Sequence, residues 1–430
     1  MNILILHGYS DSNKGDLAIV VGMVKGIRQV KPDARLTLQS VYSELDPDFA
    51  FHHRFVTRLG LEVQQMAIPS PYVDTASHSA FRNVSAMLNL LKSTVAELLV
   101  RRLPFLAGLF PRQHRAVLAM KQADVVLLKG GQYIYNDQGG LRALLYLWRI
   151  LHPIFVAHKL RRPVVMLGQS VGPLVDERGR AMTRRALELC QKLIVREQKS
   201  EALLRELGLD SKVVRAPDFA FLIEPTRPAQ FGDVVKKLGQ GQWIGVTVVN
   251  WTFPDSSDPH ARREAYLDAL FETAVSVANS HGVGIALFPQ VTVQHHGESD
   301  LDLLNRLAQR LEAVGVPYLL VRDDLAPEEL SFLYGMCRVL LGTRLHSCIL
   351  AACAACPVVA IRYQGFKTEG VMAELGLENR VFDISNVQLT ELVPAIEESL
   401  AHRDEISAAI AARVARFKVE LVTHLQRALA

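Results

Sequence analysis

Short, almost wholly apolar runs recur along this chain, each followed by a polar turn carrying glycine or arginine and then by a helix-like stretch. Residues 2–6 open the series, a polar loop His7 to Asp16 follows, then a helical segment from Leu17 to about Val30 and a second strand expected at 35–40. A strand without inside–outside alternation has to be covered on both faces, and strands alternating with helices achieve this in a parallel α/β sheet. Further strands are expected at 125–128, 164–168, 193–195 and 213–216. At 430 residues the chain exceeds one ordinary core and suits two domains.

The pattern breaks at 224–242, where Pro225, Pro228 and three glycines mark a linker. A second series then begins, with strands expected at 243–249, 284–288, 318–321, 339–341 and 358–361 and helices at 262–281, 301–314 and 327–336. The expected layout is an N-terminal α/β domain at 1–223, a C-terminal one at 243–390 and an Ala- and Arg-rich helical tail at 391–430. Residues 48–115 lack the alternating order and are expected to form a helical insertion in the first domain. Two Rossmann-like doubly wound sheets facing across a cleft is the architecture this order favours.

Charge and cysteine content exclude several classes. A formal net charge of +4 is mild for this length and argues against a nucleic-acid partner. The start of the chain lacks the basic, apolar and small-residue pattern of a signal peptide, so a cytoplasmic location is expected. The greasy stretch 141–160 carries Arg149, His152 and Pro153 and should not span a bilayer. Five cysteines do not make a disulfide framework. Cys353 and Cys356 have redox-pair spacing, but their apolar surroundings read as a buried helix and strand, and no second pair at zinc spacing accompanies them. Arg82, Lys92, Arg101, Arg102, Arg112, Arg115 and Lys121 are interspersed with apolar residues. Such a stretch either solvates a basic face over a core-facing side or lies on the inner membrane surface, a peripheral contact expected for 79–111.

Candidate site residues cluster where strands end. Gly342-Thr343-Arg344-Leu345-His346-Ser347 passes from a strand to a small-residue helix, placing a cation and an imidazole at a helix N-terminus suited to anions. The plainer alternative is that Arg344 caps a neighbouring helix and His346 is a hydrogen-bonded, half-core residue. The first loop does not spell G-x-G-x-x-G, so a dinucleotide site is not supported; Gly15 permits a tight turn, and Asp16 or Asn13 can cap the following helix. Gly130 and Gly131 after the 125–128 strand allow a ligand or another loop to approach the backbone. Gly168-Gln169-Ser170-Val171-Gly172-Pro173 repeats that design. Arg196 either clamps a carboxylate or phosphate or pairs with Glu197 or Asp218. Gln290 leads to adjacent His295 and His296, whose default is a polar surface loop.

In their order, Asn13-x-Gly15-Asp16, Gly130-Gly131, the 168–173 run, Val195-Arg196-Glu197, Pro217-Asp218, Phe288-Pro289-Gln290, Arg344-Leu345-His346-Ser347, Pro357 to Ile361, Tyr363 and Lys367 resemble the polysaccharide pyruvyl transferase family. The departures are the short glycine run at 129–132, the 48–111 insertion and Cys356, where relatives commonly carry glycine. The resemblance implies transfer of the enolpyruvyl carbons of phosphoenolpyruvate to sugar hydroxyls of a polysaccharide or its lipid-linked precursor. It implies a GT-B-like fold, no metal and no organic cofactor. His346 is then the general acid, Arg344 and Arg196 the anion clamps, and Gly15 with Asp16 the groups that orient the sugar. Asn13, Gly130, Gly131, Gln169, Ser170, Gln290, Ser347 and Lys367 are further substrate contacts. Two other readings share these features: a nucleotide-sugar-dependent glycosyltransferase of GT-B type, and a non-catalytic carbohydrate- or lipid-carrier-binding protein.

Overall fold

The computed structural model describes residues 1–72, 81–292, 299–363 and 367–430. These fall into two compact units. The first comprises Met1–Asp11, Ile19–Phe219 and Glu420–Ala430; the second comprises Ser12–Ala18 and Ala220–Val419. The first loop and the first turn of the helix Lys14–Val30 therefore pack with the second unit, whereas the sequence expectation kept 1–223 together.

The first unit holds strands β1 (Asn2–Gly8), β2 (Arg35–Ser40), β3 (Glu62–Gln65), β4 (Val125–Leu128), β5 (Gly131–Asn136), β6 (Val164–Leu174), β7 (Lys192–Val195) and β8 (Val213–Arg215). They form a parallel sheet in the order β3-β2-β1-β4-β6-β7-β8, with β5 paired to the far end of β6. Ile3 to Leu6 and Val125 to Leu128 are buried throughout, as strands covered on both faces must be. The 48–115 span is not wholly helical, because Glu62–Gln65 extends the sheet beyond β2. The linker span is likewise not all irregular, since Gly232–Gly239 is a helix.

The second unit holds β9 (Trp243–Thr247), β10 (Gly284–Leu287), β11 (Tyr318–Leu320), β12 (Val339–Gly342), β13 (Val358–Arg362) and β14 (Val381–Asp383), all parallel, in the order β11-β10-β9-β12-β13-β14. Renumbered within the unit this is 3-2-1-4-5-6, the doubly wound order of dinucleotide-binding sheets. The helices Pro259–His281 and Leu301–Ala313 cover the sheet through Leu267, Leu270, Val277, Leu304, Leu307 and Leu311.

Among the described residues one helix, Gly140–Lys159, is long and apolar enough to cross a membrane by length and composition, with 44% of its window buried. It places Leu147, Ile150, Leu151 and Ile154 in the core of the first unit, which makes it a core helix. The cysteines are free thiols, and all but Cys353 are buried.

Two buried histidines tie the first unit's stability to pH. Burial drives the imidazoles of His7 and His53 down to about 3 from the ordinary 6.5. Both are then neutral in the folded state and protonated in the unfolded one at mildly acid pH. Their stabilising contribution is complete above about pH 6.5 and is lost as pH falls from there toward 3, at about 1.4 kcal/mol per pH unit for each. Urea unfolding should show a lower midpoint at pH 5.5 than at pH 7, with a smaller difference in His53→Gln. A pH-independent midpoint would contradict this.

Candidate active site

In the second sheet β10 lies beyond β9 and β13 beyond β12, so the winding reverses between β9 and β12, and ligands of such sheets bind outside the carboxyl ends of the strands at that reversal. Gly342-Thr343-Arg344 leaves β12 at that point. The turn is held from beneath. Thr343 donates its N–H to Thr247 Oγ1 at 3.2 Å, and its hydroxyl lies 2.7 Å from that of Tyr266. The Ser347 hydroxyl donates to the Arg344 carbonyl at 2.6 Å and lies 2.8 Å from Thr247 Oγ1. In the run 339–350 only Arg344 and His346 keep part of their surface.

Arg344 occupies the N-cap position of the helix Leu345–Cys353 without a side-chain capping bond. Its guanidinium instead donates to Asp300 Oδ1 at 2.6 Å, with the arginine side chain 15% exposed and the aspartate not at all. Asp300 Oδ2 accepts the N–H groups of Gln290 and Val291 at 3.0 and 2.9 Å. Burial raises the Asp300 carboxyl above its ordinary value, even with Arg344 and these two N–H groups facing it. Burial also opposes the charge on Arg344, yet Asp300 and Tyr363 hold that guanidinium above its ordinary value. The Tyr363 ring centre is 5.8 Å from the guanidinium carbon, and Trp251 meets Tyr363 edge-on at 5.1 Å.

The first loop completes this edge. Asn13 Oδ1 accepts the N–H groups of Gly15 and Asp16 at 3.1 and 3.3 Å, and its amide donates to Asp16 Oδ2 at 3.0 Å, so Asn13 caps the helix Lys14–Val30. The loop runs along 290–292: Lys14 N donates to the Gln290 carbonyl at 2.9 Å, Thr292 N to the Ser12 carbonyl at 3.0 Å, and Asn13 bridges Val291. Gly15 then lies against His346, where an added Cβ would be 2.4 Å from Nδ1 and 2.8 Å from Cγ. Two motif pieces more than 300 residues apart thus meet, and the glycine is required by the imidazole. Gly15→Ala should push His346 aside. A displacement of about 1 Å lowers kcat on the order of 100-fold. Steady-state kinetics with a crystal structure of the variant check this; unchanged kcat would contradict it.

The lysine of this loop was not singled out from sequence. Lys14 is buried and donates to Asp324 Oδ1 at 2.7 Å. Its signal was a cation inside Asn13-Lys14-Gly15-Asp16, hidden because the neighbouring residues read as turn formers. Gln290 is buried; its amide donates to the Tyr334 hydroxyl, and its Oε1 has no hydrogen-bond partner among the described residues. The Ser347 hydroxyl is likewise spent on Thr247 and Arg344. Lys367 begins the helix Lys367–Glu374 and is half-buried. His295 and His296 lie outside the described residues. Among the described residues no three His, Cys, Asp or Glu side chains could hold a metal ion.

The other expected contacts belong to the first unit. Arg196 is 3% exposed; it donates to Asp218 Oδ2 at 2.5 Å and to Ser170 Oγ at 2.8 Å, and Ser170 donates to Glu197 at 2.7 Å. Of the two sequence readings of Arg196, the ion pair with Asp218 is the one observed. Gln169 is fully buried on β6, and both its amide atoms lack a hydrogen-bond partner among the described residues. A Cβ on Gly130 would meet the carbonyls of Gly168 and Leu167 at 2.9 and 3.0 Å, so this glycine admits β6 backbone. At the corresponding reversal of the first sheet, between β1 and β4, stand further residues missed from sequence. His7 Nε2 donates to the Ile150 carbonyl at 3.0 Å, Lys129 is buried 5.1 Å from the Tyr9 ring, and buried Arg149 lies over Tyr146 at 5.7 Å.

Comparison with known proteins follows the same lines. The family model for polysaccharide pyruvyl transferase matches residues 13–365. The amylovoran biosynthesis protein AmsJ of Erwinia amylovora is 23% identical over 428 residues, 97% of each chain. Two solved structures share the fold. HepE of Anabaena, in complex with UDP, is 15% identical with a TM-score of 0.54, covering 100% of this chain and 98% of its own. A UGT transferase of Siraitia grosvenorii, also with UDP, is 10% identical with a TM-score of 0.54, covering 100% of each. The fold is therefore GT-B-like. The chain belongs to the polysaccharide pyruvyl transferase family.

Proposed function

We propose that this transferase takes the enolpyruvyl carbons of phosphoenolpyruvate and places them as a cyclic ketal on two hydroxyls of a saccharide. The acceptor is an exopolysaccharide or its lipid-linked precursor, as the match to an amylovoran biosynthesis protein suggests. The observation that carries this reading is the contact of Gly15 with His346 beside the Arg344–Asp300 pair. It gives one sheet edge both an anchored cation and an imidazole.

Phosphoenolpyruvate carries a carboxylate and a phosphate, which planar guanidinium groups bind well. Arg344, oriented by Asp300, is the anion clamp, and Lys14 is a second cation carried by the loop that touches His346. His346 delivers its proton to the methylene carbon, C2 becomes cationic, and a sugar hydroxyl adds to it and returns a proton. The bond from C2 to the phosphate oxygen then breaks. The second hydroxyl adds to C2, and its proton leaves with inorganic phosphate. Asn13, Gly15 and Asp16 position the imidazole and the sugar. Nothing in this route calls on a metal or an organic cofactor.

The discriminating experiment incubates the protein and a saccharide acceptor with phosphoenolpyruvate or with nucleotide sugars. The expected result is phosphate release matched by a new ketal methyl signal in the NMR spectrum. Consumption of a nucleotide sugar with phosphoenolpyruvate untouched would favour the glycosyltransferase reading instead.

A further inference from the structure

The helix Phe81–Arg102 has two faces of opposite character. Ala86, Ala96, Glu97 and Val100 are buried, and Glu97 is held by Arg101 at 2.8 Å. Val84, Met87, Leu88, Leu91, Val95 and Leu98 are exposed, Leu91 by 58%. At 3.6 residues per turn these six fall within an arc of about 100°, the width of a stripe that ordinarily faces a core. The following 3₁₀ turn, Pro104–Gly108, carries this on, with Phe105 79% exposed and Leu109 just beyond it 71% exposed. Monomeric soluble proteins rarely leave a contiguous apolar surface of this kind uncovered.

The charges beside the stripe identify its occupant. Residues 81–122 contain seven Lys and Arg and one acid, the buried Glu97. Lys92 lies on one flank of the stripe and Arg102 at its end, both exposed, while Arg101 on the other flank is paired with Glu97. Two copies meeting through this face would bring like charges together, which opposes self-association. A surface that is apolar beneath and negatively charged above satisfies both the stripe and its flanks.

We propose that this face, with Phe105 and Leu109, docks in the interfacial layer of an anionic lipid bilayer. Of the expected contact segment 79–111, residues 79 and 80 lie outside the described residues, and the docking face does not include them. Docking depends on this helix and the turn that follows it, whichever donor the transferase uses. It would bring the enzyme to acceptors carried on a lipid.

Flotation with phosphatidylglycerol vesicles and with phosphatidylcholine vesicles tests it. The wild type should float with the anionic vesicles at low ionic strength, and less at high salt or with Lys92→Glu/Arg102→Glu. Leu88→Glu/Leu91→Glu should weaken partitioning on the order of tenfold or more. Because both leucines are exposed, circular dichroism and the melting temperature should be unchanged. As a second measurement, Leu91→Cys labelled with a polarity-sensitive dye should shift to the blue on adding the anionic vesicles. No flotation of the wild type, flotation indifferent to Leu88→Glu/Leu91→Glu, or a wild-type dimer that this variant dissociates without any vesicle binding would each overturn the proposal.

Discussion

His346→Gln should lower kcat for pyruvyl transfer by about 10²- to 10⁴-fold, the range for loss of a positioned general acid, while phosphoenolpyruvate still binds. Gln keeps a hydrogen-bonding side chain of similar reach but cannot give a proton to carbon. The neighbouring glycine makes this test specific: Gly15 lies against the imidazole, so a smaller, flatter effect of Gly15→Ala on binding than on kcat is expected as well. Pre-steady-state kinetics with calorimetry separates the two quantities. Loss of binding in His346→Gln with turnover of bound substrate preserved would place the imidazole among the anion contacts and not at the proton transfer.

Arg344→Ala should fail twice, in binding and in stability. Asp300 has no exposed surface, and removing its partner leaves a buried carboxylate facing, among the described residues, the Gln290 and Val291 N–H groups. Breaking a buried pair in this way costs about 3–5 kcal/mol, whereas replacing both members by apolar residues of similar shape is often neutral. Asp300 also accepts those two N–H groups, so its charge-free replacement must keep an acceptor: Arg344→Met/Asp300→Asn should recover most of the melting temperature lost in Arg344→Ala. It should recover none of the phosphoenolpyruvate affinity, because the clamp is still missing. Recovery of both would make the pair purely structural.

Much of the fold was legible because parallel sheets demand apolar runs. The β2 and β4 strands stand at the residues expected, and β12 exceeds its expected span only by Gly342. What was hidden obeys other physics. Glu62-Val63-Gln64-Gln65 is an edge strand, paired on one side only, and needs no apolar run. Gly131–Asn136 follows a paired glycine that reads as a turn, and it pairs β6 beyond the segment expected to be strand. Val381–Asp383 is three residues at an edge of the second sheet.

The site was legible in part for a similar reason. Arg344 and His346 stand at a strand-to-helix turn, which sequence locates well. Asp300 did not stand out, because its role comes from folding back onto the 290–291 main chain and the guanidinium, a tertiary arrangement with no local signature. The same holds for the Ser12–Ala18 segment, which is close in sequence to β1 but packs with the second unit. Arg196 stands just past β7, where a clamp and an ion pair with Glu197 or Asp218 read alike from sequence; folding brings Asp218 and Ser170, 22 and 26 residues away in the chain, onto its guanidinium.

The most direct test is a calorimetric titration of phosphoenolpyruvate into the folded wild type and into Arg344→Met/Asp300→Asn, each with and without a saccharide acceptor. Saturable heat in the wild type that disappears in the double variant, with both proteins folded, is the predicted result. Absence of heat in the wild type under either condition, or equal heat in the two proteins, would contradict a phosphoenolpyruvate site built on Arg344.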